Sequence, residues 1–553
     1  MTRAIPAPVH GPISRNSAAA TTKQTAPGLV YVALLVAVVV LFSLIRIRLL
    51  NMPLERDEGE YAYGGQLLLH GLAPYQHLYS VKLPGVYASY ALIVAAFGQS
   101  PAGIRLGLLL VNVVSILLLF HITRRLLCDL SALVAAASYA LLSAGADVNG
   151  VAAHATHFVV VFALAAILVL LKALDSGKRA LIFVAGLLFG TAFLMKQPGL
   201  VFAAWAAIYL LYRSWTRPIP WRRLSTQLGL LLAGVALPYA ITCMLMLWSG
   251  EFREFWFWTF SYVRSYGSAV PLSDGLKLLR RQGSLVLEAA PGVWLIAFAG
   301  LASVAWSVRA RSQMFLATSL LLFSFAGVSA GLYFRLHYFI LVLPAASILA
   351  GVAIGCATET CSRRGNAALT AIPALVFLLA FTSSIYGQRA FFFRLSPPEA
   401  CRYMYGANPF PEAVEVGNYI QAHTAKTDTV AVLGSEPEIY FYSQRLSASA
   451  YIYMYPLFEP KTYTAGMQRQ MIEQIEASPP AMLVLVNVPS SWIAYPNPGS
   501  MQMMLDWARA YIAADYVQDG VVVVGNPTEY VWGEAARNRD PGAGPSLLLF
   551  RRK

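Results

Sequence analysis

Charged residues are scarce in this chain. Asp, Glu, Lys and Arg together make up 12% of the 553 residues, about half the share that is usual in soluble domains. Hydrophobic residues make up 58% of the chain, and long apolar stretches recur through its first 386 residues. These stretches run to about 17–25 residues, the length that crosses hydrocarbon. The sequence therefore excludes an ordinary soluble domain and predicts a polytopic α-helical membrane protein. Its net charge of +14 is then a property of loops beside a membrane, and we predict no nucleic-acid partner.

Cysteine is also rare, with five residues in the whole chain. Only Cys401 falls in the part predicted to lie outside the membrane, so no extracytoplasmic disulfide is predicted within the chain. The sequence has no zinc-type cysteine spacing, no glycine-rich dinucleotide fingerprint and no Asn-x-Ser/Thr acceptor. These absences argue against a nucleotide site and favour a bacterial inner membrane over the endoplasmic reticulum.

Five basic clusters set the predicted orientation of the spans, because Lys and Arg are enriched in cytoplasmic loops. If all five lie inside, the chain has about eleven spans, with the N-terminus inside and the C-terminus outside. The segment from Pro84 to Gly98 is apolar but short for a span, so we predict a re-entrant or interfacial helix there. Arg46 and Arg48, at the outer end of the first span, run against the rule. The five clusters are Arg124-Arg125, Lys172 with Lys178-Arg179, Arg213 through Arg223, Arg309 with Arg311, and Arg363-Arg364.

The chain divides by composition into three parts. Residues 1–27, rich in Ala, Thr, Pro and Ser, are predicted to be disordered and cytoplasmic. Residues 28–387 form the predicted membrane domain, with outer loops at 47–103 and 249–290. Residues 388–553 are too polar to span and are predicted to form an extracytoplasmic α/β domain. Its predicted helices are Ala413 to His423, Met467 to Glu476 and Met501 to Ala513, and its predicted strands are Thr429 to Leu433, Met482 to Val486, Val521 to Val524 and Leu547 to Phe550.

The first outer loop carries ionisable groups, which are costly beside hydrocarbon and are usually kept for function. Asp57 is predicted to open a helix that ends near Gly71, and Tyr61 shares a helix face with Asp57. Lys82 follows between two apolar segments, and Arg105 stands where the second span begins. Taken singly, these residues are typical of a helix cap, an interfacial anchor and snorkelling cations. Together, one carboxylate and two cations suit a reaction in which a base activates a hydroxyl while cations hold a phosphate.

Several motifs then resemble those of GT-C glycosyltransferases, in particular the protein O-mannosyltransferases and the bacterial aminoarabinose transferases of lipid A. The resemblance covers about residues 50–360. It implies a GT-C-like membrane fold and an enzyme that takes a sugar from a polyprenyl-phosphate carrier at the outer face and inverts its anomeric centre. The motifs are Arg56-Asp57-Glu58 with Tyr61-Ala62, Lys82-x-Pro84 with Tyr87, Arg105-Leu106, Lys196-Gln197-Pro198-Gly199, and His337-Tyr338-Phe339 with Leu343-Pro344-Ala345.

The resemblance also implies roles for the residues of the first loop. Asp57 would activate the acceptor, with Glu58 beside it. Lys82 and Arg105 would hold the leaving lipid phosphate, together with Tyr61. Several members carry Arg before the Tyr-Ala pair, whereas this chain has Glu60. The contacts of that arginine are therefore not carried over.

Further candidates lie beyond the first loop. Asp147 falls where such enzymes carry a second acidic residue, although an ordinary turn is an equal alternative. Lys196, His337 and Tyr338 are implied as substrate contacts. No cofactor is predicted with certainty, and a divalent metal ion is left open, with Asp57, Asp147 and His154 as its candidate ligands.

Other functions stay open from the sequence. A secondary transporter would use intramembrane charge for ion coupling, although the chain shows no internal repeat. A surface-polysaccharide polymerase or ligase would also use lipid-linked sugars, and a non-catalytic partner of another membrane enzyme would act through its C-terminal domain. The sequence names neither the sugar nor the acceptor, which could be a lipid, a polysaccharide or a protein.

Overall fold

The computed structural model describes residues 27–305, 307–459, 463–492 and 498–553. The predicted disordered segment 1–27 therefore lies, apart from its last residue, outside the described residues. Within the described ranges, six helices are long and apolar enough to cross a membrane, or seven if one bent pair counts as a single span. Four further apolar helices are shorter than that. The predicted count of eleven spans is not confirmed, because several of its spans correspond to these shorter helices.

The first part of the chain is almost entirely helical. A π-helical turn, Phe257–Tyr262, joins α11 to α12, and a 3₁₀ turn, Leu336–Leu341, precedes α16. The helices are α1 Leu29–Arg48, α2 Arg56–Leu69, α3 Pro74–His77, α4 Pro84–Phe97, α5 Pro101–Leu126, α6 Asp129–Leu142, α7 Ala155–Ser176, α8 Arg179–Met195, α9 Leu200–Thr216, α10 Trp221–Trp248, α11 Phe252–Trp256, α12 Val263–Gly267, α13 Leu272–Glu288, α14 Pro291–Ala302, α15 Val308–Val328, α16 Leu343–Ser362, α17 Ala367–Gly387 and α18 Arg389–Phe393.

Helix α4 begins and ends on the side of the molecule that carries the C-terminal domain. Lys82, two residues before its start, reaches Asp57. Gln99, two residues after its end, donates a hydrogen bond of 3.1 Å to the carbonyl of Phe441 in the C-terminal domain. A helix with both ends on one side does not cross the bundle, as expected of a re-entrant or interfacial helix.

Helix α2 begins with a capping box formed by Glu55 and Glu58, so the prediction that Asp57 caps this helix is wrong. The Glu55 carboxylate accepts from the Glu58 N–H (2.9 Å), and the Glu58 carboxylate accepts from the Glu55 N–H (3.3 Å). Glu55, not Asp57, is therefore the cap, which leaves the Asp57 side chain available for other contacts. The end of the helix is as predicted, because Gly71 takes the left-handed conformation with φ 71°.

Helix α2 is a buried element between α4 and the C-terminal domain. A Cβ on Gly59 would lie 2.5 Å from the backbone nitrogen of Glu438, and one on Gly65 would lie 2.8 Å from that of Ala91. Only glycine allows both backbones to come this close. The start of α2 is thereby held against both neighbours, which fixes the position of Asp57.

The C-terminal domain contains the predicted α/β layer. Its six-stranded sheet has the order β2-β1-β3-β6-β4-β5, with β2, β1 and β3 parallel and the remaining neighbours antiparallel. All four predicted strands and all three predicted helices are present, whereas the two-residue β2 and the exposed edge strand β5 were not predicted. The elements are α19 Pro397–Tyr405, α20 Phe410–His423, β1 Thr429–Leu433, α21 Glu438–Ser443, β2 Leu446–Ser447, α22 Thr464–Ala477, β3 Met482–Asn487, α23 Pro498–Asp515, β4 Tyr516–Val523, β5 Glu529–Trp532 and β6 Ser546–Arg552.

One continuous apolar core joins the two parts of the chain. It runs from the membrane helices, through Tyr61 and Tyr63 of α2, to Val430, Val484 and Leu549 of the sheet. The C-terminal domain is therefore packed firmly on the helical bundle. The space left between them is the cavity described next.

Candidate active site

A cavity of about 600 Å³ lies where the helical bundle meets the C-terminal domain. Its walls come from the start of α2, the loop before α4, the turns before α7, α9 and α16, and two loops of the C-terminal domain. A cavity that several segments line is the usual form of a ligand site.

Asp57 and Lys82 form an ion pair inside this cavity. The Lys82 Nζ lies 3.1 Å from the Asp57 Oδ1 and donates to the Tyr61 hydroxyl at 3.2 Å. Their side chains are 16% and 18% exposed, so both are partly shielded from solvent yet open to a ligand. The loop that carries Lys82 is held by Tyr75, whose hydroxyl donates to the Lys82 carbonyl at 2.7 Å. The structure thus brings together three of the residues singled out in the sequence.

Two stacked histidines stand beside Asp57. The rings of His154 and His337 lie 3.9 Å apart with an interplanar angle of 11°. The His154 Nδ1 is 3.9 Å, and the His337 Nε2 is 3.8 Å, from the Asp57 Oδ2. Residues about 180 positions apart in the sequence therefore meet at one carboxylate.

Lys196 completes the predicted set. Its Nζ lies 3.5 Å from the His337 Nε2 and 4.0 Å from the centre of the Tyr338 ring. The turn between α8 and α9 holds this lysine, as the motif in the sequence indicated. Lys196, His337 and Tyr338, implied as substrate contacts by resemblance alone, all line the cavity with Asp57.

Arg335 was missed by the sequence analysis. It lines the same cavity, and its charge acts on Asp57. The available signal was a cation two residues before His337. Tyrosines stand on both sides of it, a pattern that is also typical of an arginine at a membrane interface. Arg335 thus joins Lys82 and Lys196 in the lining of this cavity, as does Arg56, which pairs with Glu436 at 2.8 Å.

The charges of this group act on one another. Burial would raise the pKa of Asp57, but Lys82, then His154, Arg335 and Lys196, outweigh burial and hold this pKa well below its usual range. For Lys196, burial and then the neighbouring Lys82 lower the pKa well below its usual value. Asp57 is therefore ionised at neutral pH, whereas burial and Lys82 disfavour the charge of Lys196.

Glu58 and Arg105 lie outside the lining of this cavity, contrary to the roles that the resemblance implied. Both guanidinium nitrogens of Arg105 contact the Glu58 carboxylate, one of them at 2.9 Å, and the Ala153 N–H donates to Glu58 at 2.5 Å. Glu58 is 0% exposed. Neighbours in a helix point about 100° apart, so Glu58 faces the bundle while Asp57 faces the cavity. This pair fastens α2 to α5 and to the segment before α7.

Asp147 also lies away from Asp57. It sits in the turn Ala146–Val148, outside the cavity lining, so the structure does not bring a second carboxylate to the site from this position. Burial raises the pKa of Asp147 to about 7. Of the two alternatives that the sequence left open for Asp147, its position in the structure supports an ordinary turn residue.

Replacing Asp147 by Asn should change stability in a pH-dependent way. A carboxyl whose pKa is raised on folding stabilises the folded state at acidic pH and loses this effect as the pH rises through its folded pKa. The variant should therefore match the wild type near pH 4 and be more stable at pH 8, by on the order of 1 kcal/mol. Thermal unfolding in detergent at both pH values checks this. Equal shifts at the two pH values would contradict it, and the exposed Asp274→Asn is the control.

One group of side chains has the composition of a metal site. Ligand atoms of Asp57, His154 and His337 all lie within 4.8 Å of one another. Of the predicted metal ligands, Asp57 and His154 belong to this group and Asp147 does not, while His337 takes its place. Burial lowers the pKa of His154 to about 3, so its imidazole is neutral, the form that a metal or a hydroxyl group can use.

Aromatic side chains of residues 255–262 and 453–455 divide between core and cavity. Trp258 and Tyr262 of the π-helical turn line the cavity, as do Tyr453 and Tyr455. Phe255 is buried in a small apolar cluster instead. Tyr453 also donates to the backbone carbonyl of Arg56 at 3.0 Å. The C-terminal domain therefore forms part of the wall around Asp57.

Comparison with known proteins places the fold. Residues 82–245 match the family model described as dolichyl-phosphate-mannose-protein mannosyltransferase. The crystal structure of ArnT from Cupriavidus metallidurans bound to undecaprenyl phosphate is similar over 94% of this chain and 98% of its own, with 16% identity and a TM-score of 0.59. The apo state of the same protein gives 17% identity, the coverages 94% and 97%, and a TM-score of 0.57.

A more distant solved structure is also similar. The archaeal oligosaccharyltransferase AglB from Archaeoglobus fulgidus, in complex with an inhibitory peptide and a dolichol-phosphate, matches 93% of this chain and 75% of its own. Its identity is 12% and its TM-score is 0.51. No curated protein sequence matches the chain. At these identities the likeness describes the fold, which extends over both the helical bundle and the C-terminal domain.

Proposed function

Since this chain is a multi-pass membrane protein with the fold of GT-C superfamily glycosyltransferases, we propose that it transfers a sugar from a polyprenyl-phosphate donor. The acceptor is a hydroxyl or phosphate at the outer face of the membrane, and the anomeric centre is inverted. In this proposal the protein lies in a bacterial inner membrane, with its N-terminus in the cytoplasm and its C-terminal domain outside. Asp57 and Lys82 carry the reaction.

The observation that carries this proposal is the Asp57–Lys82 pair in a cavity that Arg56, Lys196 and Arg335 also line. A phosphate monoester or diester needs compact positive charge and hydrogen-bond donors, which Lys and Arg supply. Lys196 lies in the same cavity with its pKa depressed by burial and by Lys82. A bound phosphate would restore its charge and so would be stabilised in return. The same cations help a polyprenyl phosphate to depart once the bond to the sugar breaks.

Asp57 would act as the base that takes the proton of the acceptor. In the free protein its pKa is held well below the usual range after the cations overcome the effect of burial, which makes it a weak base. The negative charge of a bound phosphate would compensate the cations and raise this pKa. Asp57 therefore gains basicity only when the donor is in place, and its negative charge also favours the positive charge that develops on the sugar.

The position of Lys82 favours an anion over a metal ion at this site. Asp57, His154 and His337 offer suitable donors to a divalent cation. The Lys82 Nζ lies 3.1 Å from the Asp57 carboxylate, however. Two unit charges about 4 Å apart repel by about 4 kcal/mol near a protein surface, and a divalent ion bound to Asp57 would meet at least this repulsion from Lys82. We therefore propose that lysines, and not a divalent ion, meet the charge of the phosphate.

Binding of undecaprenyl phosphate to the purified protein tests the phosphate site. Lys196→Gln should weaken this binding about tenfold or more, since it removes a charge-assisted contact. The fold should tolerate the change, because burial already disfavours the charge of Lys196. The measurement is a titration in detergent, with and without EDTA.

The matched control for this titration is Lys277→Gln, which removes an exposed lysine paired with Asp274 outside the cavity. It should bind undecaprenyl phosphate as the wild type does. If Lys196→Gln equals this control, Lys196 does not hold the phosphate. If EDTA abolishes binding to the wild type, a metal ion and not the lysines meets its charge.

A further inference from the structure

Several residues that line the cavity carry buried polar atoms without a hydrogen-bond partner. The Asn149 Oδ1, both ring nitrogens of His154 and the Tyr405 hydroxyl make no hydrogen bond within the described part of the chain. All three residues line the cavity. Buried polar groups without partners are unfavourable, so three such residues around one cavity indicate a ligand that supplies the missing hydrogen bonds.

Two separate segments supply these residues. Asn149 and His154 both belong to the connection between α6 and α7, where Asn149 takes the left-handed conformation with φ 52° and His154 stands immediately before α7. Tyr405 is the last residue of α19 in the C-terminal domain. We call Asn149, His154 and Tyr405 the uncharged subsite. Glu55, the cap of α2, lies beside it, with its Oε1 3.6 Å from the His154 Nδ1.

The uncharged subsite differs in chemistry from the phosphate site next to it. The amide of Asn149 and the phenol of Tyr405 carry no charge, and both ring nitrogens of His154 lack a hydrogen-bond partner among the described residues. These groups offer hydrogen-bond donors and acceptors, whereas the phosphate site offers the amino groups of Lys82 and Lys196. Hydroxyl groups, which both donate and accept, match such a set better than a phosphate does.

The position of the subsite identifies which hydroxyl groups these are. His154 stacks on His337, and His337 contacts Lys196 of the phosphate site. His154 also lies 3.9 Å from Asp57. A sugar joined to a phosphate at Lys196 would thus reach the uncharged subsite while its anomeric carbon stays beside Asp57.

We infer that the uncharged subsite binds the sugar ring of the polyprenyl-phosphate donor through its hydroxyl groups, with Tyr405 of the C-terminal domain as one of the sugar-binding residues. This inference rests on the proposed function. It gives the C-terminal domain a direct part in choosing the donor, because Tyr405 reaches the sugar and not the lipid or the phosphate.

Comparing two ligands for one variant tests the inference. The probes are bare undecaprenyl phosphate and undecaprenyl phosphate esters of mannose, glucose, galactose and arabinose. At least one ester should bind the wild type more tightly than the bare phosphate. Tyr405→Phe should weaken the binding of that ester about tenfold and leave the binding of bare undecaprenyl phosphate unchanged. Its melting temperature should not fall, because the hydroxyl has no protein partner to lose.

Tyr139→Phe is the matched control, since the Tyr139 hydroxyl is also buried without a hydrogen-bond partner among the described residues but lies in α6, outside the cavity lining. Asn149→Gly provides a second variant, because glycine accepts the same left-handed backbone. It should lose affinity for the same ester.

The failures of the inference and of the proposed function can be told apart. If the wild type binds none of these ligands, the polyprenyl-phosphate proposal itself fails. If it binds the bare phosphate but no ester more tightly, or if Tyr405→Phe and Tyr139→Phe bind the ester equally, the sugar subsite is contradicted. A variant Tyr405→Phe that binds the donor normally yet transfers slowly would place Tyr405 at the acceptor and would also overturn the inference.

Discussion

Asp57→Asn should slow sugar transfer about a thousandfold while the protein still folds and binds its donor. The amide cannot take a proton from the acceptor, nor can it favour positive charge on the sugar. It still accepts a hydrogen bond from Lys82, which lies 3.1 Å from the carboxylate in the wild type. Because the substitution removes a negative charge beside the phosphate site, binding of undecaprenyl phosphate should be unchanged or tighter. Turnover and binding are measured on the same purified sample.

The control for this variant is Asp274→Asn, the same chemical change at an exposed residue of α13. It should transfer sugar as the wild type does. Retention of transfer within about tenfold of the wild type by Asp57→Asn would remove Asp57 as the base. If Asp57→Asn loses transfer, the binding of undecaprenyl phosphate shows whether the protein is still folded. Normal binding then indicates a catalytic effect, and loss of binding indicates loss of the fold.

Arg105→Met should prevent stable folding. Its guanidinium is the main partner of the Glu58 carboxylate, and both side chains are almost fully buried. Removing one member of a buried pair leaves an unpaired charge and costs roughly 3–5 kcal/mol. The yield of monodisperse protein and its melting temperature should therefore both fall. The double variant Glu58→Gln with Arg105→Met should recover part of the loss, because it removes the carboxylate as well.

The exposed pair of Glu359 in the last turn of α16 and Arg363, the residue after its end, supplies the control. Arg363→Met should cost less than about 0.5 kcal/mol. If Arg105→Met melts like this control but no longer binds undecaprenyl phosphate, then Arg105 holds the donor, as the resemblance implied. The two roles of Arg105 thus give opposite results in stability and in binding.

The sequence could predict which residues lie together in the candidate site wherever they are close in the chain. Asp57 and Tyr61 share a helix face, and Lys82 follows after one short loop. The contact between these residues therefore depends on a single short stretch of the chain. The strands of the C-terminal domain were predicted for a similar reason, since short apolar runs between polar turns mark them out. The capping error at Glu55 shows the limit of this approach, because Glu55 and Asp57 are both acidic and only the backbone decides between them.

The sequence could not predict which way a side chain points from its helix, or which residues far apart in the chain meet in the fold. Glu58 is next to Asp57 in the chain, yet the turn of the helix carries it to Arg105 and away from the cavity. Asp147 lies near His154 in the sequence but stays in its own turn. Tyr405 reaches the site from about 350 residues away, and no local pattern distinguishes it from the other tyrosines of the C-terminal domain.

Turnover of lipid-linked sugars by the purified wild-type protein tests the central claim most directly. The protein is incubated with the undecaprenyl phosphate sugars, and mass spectrometry follows the release of free undecaprenyl phosphate together with the product. The account predicts release from at least one donor, an inverted anomeric centre in the product, and release that disappears in Asp57→Asn. No release from any donor, or equal release by the wild type and Asp57→Asn, would contradict it.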